Sequence, residues 1–130
     1  MTTIATTNRP EARFLMCRPE HFAVSYAINP WMDPASWARD ECAHFAAVRE
    51  WRALHATLLR LGATVELVPP APGVPDLVFT ANAGVVLNRQ VLLVRFRHAE
   101  RRREEPHFEA AFRGQLRHQS LDGPGELGAR

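Results

Sequence analysis

Much of what would announce a function is missing from this 130-residue chain. A formal net charge of +2 is too small to demand nucleic acid or an acidic membrane surface as partner. No stretch approaches the roughly 20 apolar residues of a spanning helix, so no membrane partner is expected. The opening "MTTIATTNRPEA" lacks the apolar core of a secretory signal. Two cysteines make no disulfide framework, and the reducing cytoplasm is the expected compartment. The six histidines are scattered, none at the spacing of a metal pair, so no metal is expected. What is present, 46% hydrophobic and 23% charged residues, describes a globular protein of one core.

Along the chain, residues 1–12 are polar and read as a loose N-terminus. "RFLMCR" has strand length and ends at Pro19. "PEHFAVSYAINPWMDP" has no helical period and reads as a structured loop rich in aromatics. Asp33 then caps a helix whose first position suits Pro34. Trp37, Cys42, Phe45, Val48, Trp51, Leu54, Leu58 and Leu61 recur at roughly helical spacing, which predicts one long helix stopped at Gly62. "TVELVPP" and "LVFT" read as strands, and "GVVLNRQVLLVRF" as a hairpin turning at Asn88-Arg89. "RHAERRREEP" reads as a solvated charged connection, and Pro106 opens a helix over 106–116. Strands alternate with helices, so the fold class is α/β or α+β. From Gly114 to residue 130 the glycine-bearing polar tail has no period, and a disordered or frame-shifted end is expected.

The stretch "PDLVFTANAGVVL" poses the sharpest question. Asp76 stands at the front of an apolar run, and Thr80-Ala81-Asn82-Ala83-Gly84 interrupts it. Taken alone, Asp76 suits the start of a strand after a turn, and Asn82 suits a turn.

Together with "FLMCRPEHFAVSYAINPWMDP" before it and "VRFRHAERRREEPHF" after it, this stretch resembles the N-terminal half of the amidinotransferase and arginine-deiminase-like superfamily. The resemblance covers residues 13–113 and is nearest to the arginine dihydrolase and dimethylargininase-like branch. It implies an incomplete pentein fold, a pseudo-fivefold propeller of ββαβ-type modules around a polar pocket. It also implies a guanidinium substrate and no cofactor. In that chemistry acceptors hold the flat cation, a cysteine thiolate attacks its central carbon, and a histidine supplies the proton for the departing amine.

By the same resemblance Asp76 is a guanidinium-holding carboxylate and Asn82 lies on the pocket floor. Many members have an acid at the latter position, and an amide holds a cation less strongly but can orient a carbonyl or water; the resemblance itself suggests a dihydrolase over a simple deiminase. Asn29 belongs to a loop over the substrate, and Arg95 or Arg97 would meet the substrate carboxylate with a fork of donors. Simpler roles compete: a turn for Asn29, a solvated face for the arginines. The family's catalytic histidine and cysteine lie in later modules, so no catalytic residue is assigned here. Cys17 and Cys42 read as packing residues. The expectation is a fragment of a guanidine hydrolase, inactive alone and prone to self-association through unpaired surfaces. The alternative is a noncatalytic arginine-binding or regulatory domain that keeps the guanidinium pocket.

Overall fold

The computed structural model describes residues 11–121 and shows a mixed α/β chain with two small sheets. The opening strand β1 (Arg13–Cys17) pairs in parallel with β2 (Thr64–Val68), in register from Arg13 opposite Thr64 to Cys17 opposite Val68. Parallel pairing requires a long crossover, which the two helices between the strands provide.

Where the sequence predicts one helix, there are two, α1 (Pro34–Arg39) and α2 (Ala43–Arg60). The start is as expected: the Asp33 carboxylate accepts from Ser36 N at 3.0 Å, and Pro34 takes the first turn. The break comes at Asp40, whose backbone is extended and whose side chain accepts from Cys42 N at 3.0 Å. A short acidic side chain offers the backbone this alternative to the helical ladder. Gly62, at φ +85°, ends α2, and Ala63 N donates to Leu58 O at 3.1 Å.

The apolar stripe of α2 is also rotated from its sequence reading. Val48, Trp51, His55 and Leu58 are half-buried, whereas Phe45, Leu54 and Leu61 are exposed.

"LVFT" is not a strand. Pro75–Val78 and Thr80–Asn82 form two 3₁₀ turns. Leu77 N, Phe79 N, Asn82 N and Ala83 N each bond to the carbonyl three residues back. Thr80 Oγ1 donates to Leu15 O at 2.6 Å and ties the segment to β1. The hairpin appears where expected, as β3 (Gly84–Leu87) and β4 (Gln90–Leu93), antiparallel, with Asn88 and Arg89 both at positive φ. Two consecutive positive-φ residues match the twist of the strands they join. A Cβ at Gly84 would lie 2.7 Å from Leu92 O across the ladder. Gly84→Ala should therefore cost about 1–3 kcal/mol, read as a lower urea midpoint with an unchanged slope.

β4 stops at Leu93, so Arg95 and Arg97 do not share a strand face as the alternation suggested. The charged connection folds into α3 (Ala99–Arg102), followed by α4 (Glu105–Leu121). The backbone of α4 thus continues past Gly114, where the sequence predicted a structureless tail; residues 1–10 and 122–130 lie outside the described residues.

The core gathers Cys17, Val68, Val74, Leu77, Ala83 and Phe108. It lies against the two 3₁₀ turns, and this packing holds Asp76 in place.

Candidate functional site

Asp76 opens the first 3₁₀ turn beside Leu77, which enters the core, and its side chain is drawn inward with it. Only 4% of Asp76 is exposed. A carboxylate so placed needs partners, because burial of an unpaired charge is costly. Tyr26, from the aromatic loop after β1, donates its hydroxyl to Asp76 Oδ2 at 2.5 Å. Burial, then the hydrogen bond and charge of Asp76, push the Tyr26 hydroxyl well above its usual range. It stays a protonated donor throughout ordinary pH.

Two aromatic contacts hold the loop itself. Phe22 meets Trp37 edge-on at 5.2 Å and Phe79 at 5.8 Å between ring centroids. The ring nitrogen His44 Nε2 lies 2.9 Å from Pro19 O, joining the loop to α2.

Arg101 is the residue that the sequence reading missed. Its charged run was read as solvated, yet its side chain is only 11% exposed and Glu104 is fully buried. Arg101 Nε donates to both Glu104 carboxylate oxygens, at 2.9 and 3.2 Å, and Nη2 donates to Oε2 at 2.8 Å. The same guanidinium lies 4.2 Å from the Phe96 ring centroid. Nη1 donates to Asn82 Oδ1 at 3.1 Å, and Nη2 to the Asp76 carbonyl at 3.4 Å. One signal was available in the sequence: a glutamate three residues after an arginine, followed by Pro-His-Phe at a helix start, suits a paired charge at a packed helix entry.

This network fixes the chemistry that Asn82 offers. A guanidinium can only donate, so the Asn82 oxygen faces Arg101 and the amide N–H₂ is left as the group for a ligand. The site therefore sets a buried carboxyl held by Tyr26 near an exposed amide donor, with Arg101 tying the Asp76 main-chain carbonyl to the Asn82 side chain.

The other sequence candidates lie apart. Asn29 Oδ1 accepts from Trp31 N at 3.0 Å, the turn role that competed with a ligand role. Trp31 is 89% exposed. Arg95 Nη1 pairs with Glu105 Oε2 at 3.2 Å with most of its side chain in solvent, and Arg97 is exposed. Neither arginine bonds to Asp76 or Asn82 among the described residues. The two larger cavities, about 490 and 310 Å³, are also lined by other residues. Among the described residues, no cluster of three or more His, Cys, Asp or Glu could hold a metal, and no helix is long and apolar enough to cross a membrane.

Cys17 is buried, and burial, reinforced by the charges of Glu20 and Glu104, pushes its thiol up to about 11. Cys42 is exposed. A disulfide reagent at about pH 8 should label Cys42 promptly and Cys17 only after denaturant is added. Two equally fast thiols in the folded chain would contradict this placement.

No protein-family model matches the chain. Curated relatives do. The chain is 49% identical over 102 residues to the bifunctional arginine dihydrolase/ornithine cyclodeaminase ArgZ of Synechocystis sp., covering 78% of this chain and 14% of that protein. It is 44% identical over 89 residues to the N(G),N(G)-dimethylarginine dimethylaminohydrolase of Mycobacterium tuberculosis, covering 68% of this chain and 28% of that protein.

Solved structures agree with the sequence relatives. The N-terminal domain of cyanobacterial ArgZ, bound to product, matches with a TM-score of 0.72 at 48% identity, covering 81% of this chain and 37% of that one. An AgrE variant in binary complex with L-arginine matches at 0.73 and 47%, covering 82% of this chain and 15% of that one. The chain thus spans about a seventh of the length of the cyanobacterial relatives. It is a homologue of the arginine dihydrolases and of the dimethylarginine hydrolase, in the pentein superfamily and the branch that its three motifs resemble.

Proposed function

We propose that the chain carries the guanidinium-holding part of a guanidine-modifying hydrolase, with arginine or a close relative as substrate, and that its fold is one portion of a pentein propeller. The observation that supports this most is that Arg101 ties the Asp76 main-chain carbonyl to the Asn82 side chain, holding the two residues of one motif together. In this reading Asp76 supplies the negative acceptor for the planar cation, and charge-assisted bonds make that acceptor strong. Asn82 supplies N–H donors, which suit the carbonyl-like oxygen of a ureido intermediate better than the guanidinium itself. That is the polarity a second hydrolysis needs, so a dihydrolase is favoured over a deiminase. Asn29 and the arginines Arg95 and Arg97 remain the candidates for the amino-acid end, their side chains lying at the surface.

Turnover requires a thiolate that bonds to the guanidinium carbon while ammonia leaves with a proton from a histidine, followed by water on the thiouronium. Cys17 is packed in the core with its thiol pushed up by burial, so this reading does not assign it as the nucleophile. The chain alone is inactive in this reading. Incubation with L-arginine should release no ammonia, citrulline or ornithine above blank. Titration calorimetry should show a saturable heat that Asp76→Asn removes while the thermal melt stays cooperative. Steady turnover abolished by Asp76→Asn would overturn the inactivity. A well-folded chain that gives no heat with arginine would overturn the guanidinium site.

A further inference from the structure

The cavity of about 310 Å³ shares no residue with the Asp76 and Asn82 site. It is a groove between the 3₁₀ turn Pro19–His21 and α2, the two elements that meet where His44 Nε2 reaches Pro19 O. Buried Pro19 and half-buried Val48 supply its apolar lining. Trp51 and His55, one helical turn apart, stack ring on ring there, with centroids 4.9 Å apart and planes at 14°. Both are half-buried, which makes the pair a fixed aromatic platform. Three charged side chains, Arg18, Glu20 and Arg52, stand around it. None of the three makes an ion pair or a side-chain hydrogen bond among the described residues, whereas Arg13, Arg95, Arg101 and Arg113 each pair with a glutamate.

This lining selects a ligand by charge and by shape. Two guanidinium groups against one carboxylate repel a cation, so the groove suits neither arginine nor a metal ion. Guanidinium forks match the oxygens of a phosphate, and two of them match its charge of roughly −2 near neutral pH. A nucleobase stacks well on aromatic side chains. Ionised Glu20 can only accept hydrogen bonds, which suits the exocyclic amine of a base and gives no partner to a bare phenyl ring. The volume lies at the small end of ligand pockets, with room for one small molecule. We propose that this groove is a mononucleotide site, with the base on the Trp51 and His55 platform and the phosphate held by Arg18 and Arg52. The inference goes beyond the guanidine reading and does not rest on it.

Titration calorimetry of the full 130-residue chain with adenosine 5′-monophosphate (AMP) tests the site. The expected result is a saturable one-site heat with a Kd below about 1 mM. Arg18→Gln, Arg52→Gln and Trp51→Leu should each weaken binding at least about tenfold. Both arginines are exposed, so their variants should keep the parent's thermal melt. Arg49→Gln, exposed on the same helix but outside the groove, should bind AMP as the parent does. Inorganic phosphate, adenosine and phenyl phosphate should each bind at least about tenfold more weakly than AMP. Excess L-arginine should leave AMP binding unchanged. No saturable heat up to about 1 mM AMP would overturn the nucleotide site, as would binding that survives both arginine substitutions. Inorganic phosphate or phenyl phosphate binding as tightly as AMP would also overturn it, because the base would then add nothing. Displacement of AMP by L-arginine would move the nucleotide out of this groove and overturn the assignment as well.

Discussion

Arg101→Met should lower folding stability by about 3–5 kcal/mol near neutral pH, because it strands a carboxylate in the core. Glu104 is fully buried, and Arg101 is the cation that meets it through three hydrogen bonds. Burial already raises the Glu104 pKa, while Arg101 pulls it down. Without that cation the carboxyl rises further above its unfolded value. A group raised on folding contributes stability below its unfolded pKa and loses that contribution as pH rises through the folded pKa. The deficit of Arg101→Met should therefore shrink as the pH is lowered from neutral and Glu104 takes up a proton. Adding Glu104→Gln to Arg101→Met should recover part of the loss at the higher pH and flatten the dependence. Urea midpoints followed from neutral to mildly acidic pH measure all of this. A pH-independent loss would mean that packing of Arg101 against Phe96, and not the stranded charge, is what matters.

Phe108→Ala should be at least as severe, at about 3–5 kcal/mol against the roughly 5–15 kcal/mol of an ordinary domain. Phe108 is fully buried and brings α4 onto the core made by Cys17, Val68, Val74, Leu77 and Ala83. Its ring lies 6.5 Å from that of Phe96, the same ring that Arg101 covers. Loss of Phe108 therefore loosens the platform beneath Asp76 and Asn82 as well as the core itself. The expected result is loss of the near-ultraviolet dichroism and of a cooperative melt, with Phe108→Leu intermediate. A sharp transition retained in Phe108→Ala would show that the 3₁₀ segment is held chiefly from β1.

The two residues that carry these predictions were unequally legible. Phe108 stands in a helix start that the sequence shows through Pro106, while its full burial is a finding of the structure. Arg101 stood in a run of mixed charge, where solvation is the usual outcome. The one local signal, a glutamate three residues on, does not single it out, because Arg102 has Glu105 at the same spacing. Its partners Asp76 and Asn82 come from 25 and 19 residues earlier, and only folding brings them within reach.

The same division runs through the fold. Short-range sterics and hydrogen bonds decided what the sequence by itself determined. Asp33 and Pro34 start a helix, Gly62 stops it at positive φ, and Asn88-Arg89 turns the hairpin. The resemblance read from three motifs likewise pointed to the superfamily and branch in which relatives of 44–50% identity are found. The tertiary structure decided the rest. It chose which side of α2 faces inward, turned "LVFT" from a strand into 3₁₀ turns roofing the core, and buried one ion pair from a charged run. These outcomes depend on contacts between segments far apart in the chain, where an apolar or charged residue gains its energy only from a partner that folding supplies.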